Sequence, residues 1–146
     1  MLHAESRLLI KATPEVIWPI IADSVTWPTW AGCDSAAIER PSVIEPNGVG
    51  TIRTFTTGPV TVREEITAFE PTQRIAYTML SGLPLKDYHA EMLLAPKDGG
   101  TELLWWSRFD PKIPGTGLPM KLFMQFILDS WGAALQKHVE AQVASR

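Results

Sequence analysis

Residues 118–143 read LPMKLFMQFILDSWGAALQKHVEAQV, and the fold turns on this stretch. Lys121, Gln125, Asp129, Gln136 and Glu140 recur at the helical spacing of about 3.6 residues per turn, forming one narrow polar stripe with Gly132 on the same line. Opposite them stand Phe123, Ile127, Trp131, Ala134 and Leu135, and in the first half Leu122, Met124, Phe126 and Leu128 widen the apolar face. A helix with so thin a polar stripe is surrounded by protein on most sides. The spacing predicts that Phe123, Ile127 and Trp131 face a second layer of structure.

That layer lies upstream. From Ala36 to Phe109 the chain is punctuated by Pro46-Asn47-Gly48, Gly58-Pro59, Pro71, Ser81-Gly82-Leu83-Pro84 and Asp98-Gly99-Gly100. Runs rich in Thr, Val, Ile, Tyr and Trp lie between these marks and suit a pleated surface. They predict strands near 36–40, 50–57, 60–70, 73–80, 86–95 and 101–110, joined by short turns as an antiparallel meander. Residues 3–11, HAESRLLIK, supply one strand more, with Ser6, Leu8 and Ile10 on one side and Arg7 and Lys11 on the other. Thr13-Pro14-Glu15 then reads as an N-cap, a first-turn proline and an acid at the positive helix end. Pro19 should bend or shorten that helix, and a second short helix should carry Trp27 and Trp30.

The expected fold is α+β: a seven-stranded curved antiparallel sheet around a long C-terminal helix, with two short helices between strands one and two. So wide a sheet does not stay flat. It coils around the one long apolar rod available, and a single helix cannot fill the whole concave face. A cavity is the expected result.

Composition narrows the function classes. The 146 residues fit one domain, 1–146, able to bury roughly two thirds of the unfolded chain's surface. A formal net charge of -3 and the lack of any Lys/Arg cluster argue against a nucleic-acid partner. Cys33 is the single cysteine, so no internal disulfide can form. Residues 1–7 hold no apolar signal core, and no stretch approaches the ~20 apolar residues of a membrane span. A cytoplasmic location without membrane insertion is the expectation; oligomeric state is open.

The motifs in order also resemble a known family. Thr13-Pro14-Glu15-Val16-Ile17-Trp18 followed by Trp27-Pro28-Thr29-Trp30 resembles the opening of the START-related SRPBCC superfamily, nearest its polyketide cyclase/dehydrase-like branch. Gly48-Val49-Gly50-Thr51-Ile52-Arg53, Glu64-Glu65-Ile66, Tyr77-Thr78, Leu83-Pro84, Tyr88 and Gly100-Thr101 continue in register with it, from Ser6 to Val143. The resemblance implies the helix-grip fold of pollen-allergen-like carriers, lipid-transfer domains, aromatase/cyclases, plant hormone receptors and chaperone activators. So varied a membership leaves function open. Ser81-Gly82-Leu83-Pro84 spells the gate-loop sequence of plant abscisic-acid receptors, yet it falls one hairpin later here. The lysine those receptors use for a carboxylate has no counterpart.

Alternation selects the candidate pocket residues. Arg53 and Phe55 face inward on one strand and Val62, Glu64 and Ile66 on the next, so Arg53 and Glu64 can meet across them. A charge facing an apolar cavity is costly unless paired. The pair would therefore be a polar site orienting a carbonyl, hydroxyl or carboxylate of a ligand. A register one residue off would instead bring Arg63 and Glu65 inward. Tyr77 and Met79, then Tyr88, Ala90 and Met92, then Leu103, Trp105 and Ser107 are further inward positions. They leave Trp106 on the convex side, where packing beside Trp18 or Trp27 is expected. The 111–119 segment, with its three prolines and two glycines, is a candidate lid. His89 and Glu91 share a strand face without a third ligand, so no metal site is expected, nor any cofactor. No nucleophile elbow or phosphate loop is present.

Three functions fit: a carrier or sensor of a small hydrophobic molecule; a cyclase or dehydratase acting on a ketone-bearing substrate, as the resemblance implies; or an interaction module using a tryptophan-rich convex face. In the enzyme, Glu64 is the base, with Arg53 or Tyr88 stabilising the enolate.

Overall fold

A computed structural model describes residues 1–146. The chain runs β1 (Leu2–Ile10), α1 (Pro14–Ala22), a 3-10 turn (Ser24–Thr29), β2 (Ser35–Arg40), β3 (Ile52–Thr57), β4 (Val60–Glu70), β5 (Arg74–Ser81), β6 (Leu85–Lys97), β7 (Gly100–Pro111) and α2 (Gly117–Ala144). One antiparallel sheet holds the strands in the order β1-β7-β6-β5-β4-β3-β2, so the meander runs from β2 to β7 and β1 returns beside β7. This is the helix-grip arrangement. No helix is long and apolar enough to cross a membrane.

Turn chemistry sets the register. Lys97 and Gly100 face each other across the two-residue turn Asp98-Gly99, whose φ angles of 51° and 79° match the twist of the flanking strands. Register shifts at Arg63/Glu64 and Ile66/Ala68 on the β4–β5 ladder, and at Lys86/His89 on β6–β7, bend the sheet locally. They help it curl over α2.

The short helices differ from expectation in detail. The Thr13 hydroxyl makes no capping bond; the Thr13 carbonyl instead accepts from the Val16 and Ile17 amides at 3.0 and 3.2 Å. The helix stops at Ala22, soon after Pro19 removes a backbone donor. Trp30 lies just past the 3-10 turn that carries Trp27.

A larger correction concerns α2. Its buried line is Met124, Leu128, Gly132, Leu135 and Val139, so the helix is rotated from the orientation its apolar pattern suggests. The polar stripe lies along the free edge of β1. Gln125 Nε2 donates to the Glu5 carbonyl at 2.6 Å, and its Oε1 accepts the Glu5 amide at 3.1 Å. Gln136 Nε2 donates to the Leu9 carbonyl at 2.8 Å, and the Lys11 amide donates to Glu140 Oε2 at 2.9 Å. Gly132 permits this approach, since a Cβ there would stand 3.0 Å from Leu8 Cδ1. An edge strand's unpaired backbone groups satisfy side-chain amides as well as water does. Leu118, Leu122 and Phe126 are left exposed instead.

Towards the C-terminal half of α2 the interior is filled. Ile17 and Ile21 of α1, Leu135 and Val139 of α2, and Ile75, Met92 and Leu103 of the sheet are fully buried members of one cluster. The other half is not filled, and the candidate site lies there.

Candidate functional site: a cavity with a buried ion pair

The cavity measures about 270 Å3 and is lined by 17 residues, 14 of them hydrophobic. Its walls come from β3 to β7, from the first half of α2 and from Trp27. Among the residues singled out by alternation, Phe55, Val62, Glu64, Tyr77 and Met79 line it from β3, β4 and β5. Tyr88 and Trp105 line it from β6 and β7, and Phe123, Ile127 and Trp131 from α2. Phe123 is 42% exposed and stands at the mouth, so it does not pack into the sheet.

Ile66, Ala90, Met92, Leu103 and Ser107 face inward but lie off the cavity wall, because the packed interior covers them. Alternation reports the side of a sheet and cannot report which part of that side is empty. The candidate lid is also corrected. No residue of 111–119 lines the cavity; the Lys112 amide is tied to the Pro84 carbonyl at 2.9 Å, and Leu83 of the β5–β6 turn reaches the wall in its place.

The wall also holds Trp27, Gly32, Thr57, Val60, Met124 and Leu128, which the sequence reading did not select. Thr57 and Val60 continue the alternation through Phe55 and Val62, and one more step would have found them. Trp27 lies in the short 3-10 turn and Gly32 in the loop after it, where no period marks a face. Gly32 has a steric reason to be small: a Cβ would lie 3.1 Å from Trp131 Nε1.

Arg53 and Glu64 are direct cross-strand partners on β3 and β4. Arg53 is 1% exposed and Glu64 7%. Arg53 Nε donates to Glu64 Oε1 at 3.1 Å, and Nη2 lies 3.1 Å from the same oxygen without making an aligned hydrogen bond. Aromatic rings surround the cation: its guanidinium carbon is 4.7 Å from the Trp27 ring centre, 4.6 Å from Tyr77 and 5.1 Å from Phe55. Such contacts stabilise a guanidinium removed from water. Glu64 is part of the cavity wall and Arg53 is not.

Tyr77 and Tyr88 flank the pair, their rings 6.4 Å apart. Trp105 Nε1 donates to the Tyr77 hydroxyl at 2.9 Å, satisfying a buried indole N–H. Burial pushes the Glu64 carboxyl above the usual carboxylate range, and the charge and hydrogen bond of Arg53 pull it part of the way back. Burial also raises both tyrosines, with the Glu64 charge adding to the effect. Both hydroxyls therefore stay protonated at neutral pH and can donate.

The convex face carries no tryptophan cluster. Trp18, Trp27, Trp30 and Trp105 are buried. Trp18 packs on Phe69 at 5.1 Å, whereas Trp106 lies between His3 and His89, with ring centres 5.9 and 5.4 Å away, apart from Trp18 and Trp27. His89 Nε2 pairs with Glu91 Oε2 at 3.1 Å, and Glu91 also pairs with Arg74. No three His, Cys, Asp or Glu side chains come together as a metal-holding group.

Solved structures of other proteins share the whole of this architecture. A START superfamily protein from Mycobacterium smegmatis superposes with a TM-score of 0.83 at 15% identity, over 96% of this chain and 98% of that one. XoxI from Bacillus cereus gives 0.78 at 18%, over 95% and 96%. The ZhuI aromatase/cyclase from Streptomyces sp. R1128 gives 0.76 at 14%, over 97% and 94%. At these identities the likeness is one of fold. No curated protein sequence matches the chain. The family model described as polyketide cyclase/dehydrase and lipid transport matches residues 1–141, nearly the full length of the chain, and the protein belongs to that family.

Proposed function

We propose that the protein binds a small, mostly apolar molecule, of the size of one or two fused rings, as a carrier or sensor. The observation that carries this reading is the cavity: about 270 Å3 with a wall of 14 hydrophobic residues among 17. That volume lies just under the range of about 300–1,000 Å3 usual for ligand pockets and is far too small for a two-chain lipid. The test is titration with neutral, fluorescent phenyl-naphthylamine, alongside native mass spectrometry for a co-purified ligand. Binding is expected in the wild type and lost in Val62→Trp, whose indole would fill the cavity from β4. Equal binding by a folded Val62→Trp protein would place the probe elsewhere and refute the reading.

A second reading is a cyclase or dehydratase. It is favoured by a buried carboxyl of raised proton affinity, Glu64, beside the protonated hydroxyl of Tyr88. Glu64 would take a proton next to a substrate ketone and Tyr88 would hydrogen-bond the developing enolate. Arg53 lies behind Glu64 and would act by positioning it. Turnover abolished in Glu64→Gln with probe binding retained supports catalysis; a protein that binds ketone-bearing substrates and returns them unchanged supports the carrier.

A further inference from the structure

Glu64 is the one charged side chain on the cavity wall; no Lys, Arg or His lines it. Its only hydrogen-bond partner in the protein is Arg53, whose Nε and Nη2 approach the same oxygen, Oε1. Oε2 is left without a partner. Arg53 cannot turn to a ligand: it is 1% exposed and held among Trp27, Phe55 and Tyr77. In its ionised form the pair is neutral as a whole but polarised, with the negative end, Glu64, on the cavity side.

Resting on the reading of the cavity as a ligand site, we propose that its polar end is an acceptor, which selects neutral ring molecules carrying a hydroxyl or N–H group over the carboxylates of the same skeleton. A ligand hydroxyl gives Oε2 a charge-assisted hydrogen bond, stronger than one between neutral groups. A ligand carboxylate would bring a second negative charge against Glu64 in a water-poor space, with no cation on the wall to receive it. A ligand with only acceptors, such as an ether, leaves Oε2 unpartnered and gains nothing there. The ligand class is thus narrower than hydroxyl, carbonyl or carboxylate: phenols, alcohols and N–H compounds fit, and fatty or aromatic acids do not.

The experiment is displacement of bound phenyl-naphthylamine at pH 7 by naphthalene, naphthol, methoxynaphthalene and naphthoate, four molecules of one skeleton. Naphthol should bind about tenfold or more tightly than naphthalene and methoxynaphthalene, the gain of one hydrogen bond to a charged acceptor. Naphthoate should bind more weakly than naphthalene. In Glu64→Gln the acceptor loses its charge and Arg53 its partner, so the preference for naphthol over naphthoate should shrink by about tenfold or more. Naphthoate binding the wild type as well as naphthol does, or naphthol binding no better than its methyl ether, overturns the proposal while probe binding keeps the cavity reading. Failure of the probe and all four molecules to bind sinks both. Should Glu64→Gln not fold, the wild-type comparison decides alone.

Discussion

Arg53→Met removes the cation and leaves the Glu64 carboxylate buried without a partner. Methionine follows the aliphatic stem of arginine and fits among the Trp27, Phe55 and Tyr77 rings, so the change tests charge more than packing. Breaking a buried pair from one side costs about 3–5 kcal/mol. In a chain of this size that corresponds to a fall of roughly 6–20 °C in melting temperature. Arg53→Met/Glu64→Leu removes both charges and should recover most of the loss, because no uncompensated ion remains. The sign of the pH dependence follows from Glu64. Its pKa in the folded chain already lies above the ordinary value of 4.5, and Arg53 is what pulls it down. Without Arg53 it rises further. The stability such a group contributes is complete below the unfolded value and is lost as pH rises through the folded one. The Arg53→Met deficit should therefore be largest at neutral pH and shrink toward pH 4.5. Urea unfolding of wild type, both single variants and the double variant at several pH values measures this. A cost under ~1 kcal/mol for Arg53→Met, a double variant no more stable than that single one, or a deficit flat with pH would refute the buried ion pair.

Gly82→Ala should destabilise the β5–β6 turn by about 1–3 kcal/mol in urea unfolding and weaken probe binding through Leu83. The position has φ +127°, and a Cβ would stand 2.6 Å from the Thr61 carbonyl oxygen and the Val62 Cα, backbone atoms with little freedom to move. A loss under ~0.5 kcal/mol would show that the turn is not fixed as described. Tyr77→Phe takes the acceptor from Trp105 Nε1 and should cost about 1–3 kcal/mol, because the indole N–H is buried. A neutral result would mean that this N–H finds another partner.

The sheet was legible because its signals are local. Asp98-Gly99 fixes a two-residue turn by its own backbone preference, and alternation from Arg53 to Phe55 and from Val62 to Glu64 needs no knowledge of distant parts. The same alternation puts Arg53 and Glu64 on the concave side, where they pair. The rotation of α2 was not legible. Gln125, Gln136 and Glu140 are equally well satisfied by water and by the edge of β1, and a hydrophobic period cannot tell the two apart. Nor could the sequence place the boundary between cavity and core. Tyr77 and Met92 are both inward residues on adjacent strands, yet one borders empty space and the other does not, because of where two helices far apart in sequence, Pro14–Ala22 and Gly117–Ala144, end up packing. Trp27 belongs to the same class: it is central to the site and sits in a turn with no repeating pattern to announce it.

The contact of α2 with β1 bears on how the borders of the sheet are guarded. A seven-stranded sheet that does not close into a barrel has two raw borders, each a template for another chain. At the β2 border the strand is only 6 residues long and carries Glu39 and Arg40. At the β1 border, glutamine and glutamate side chains from α2 occupy the backbone groups at Glu5, Leu9 and Lys11 that an eighth strand would use. The helix thus serves as a selvedge, and shortening the chain before Gln136 would leave a fraying sheet inclined to recruit its neighbours.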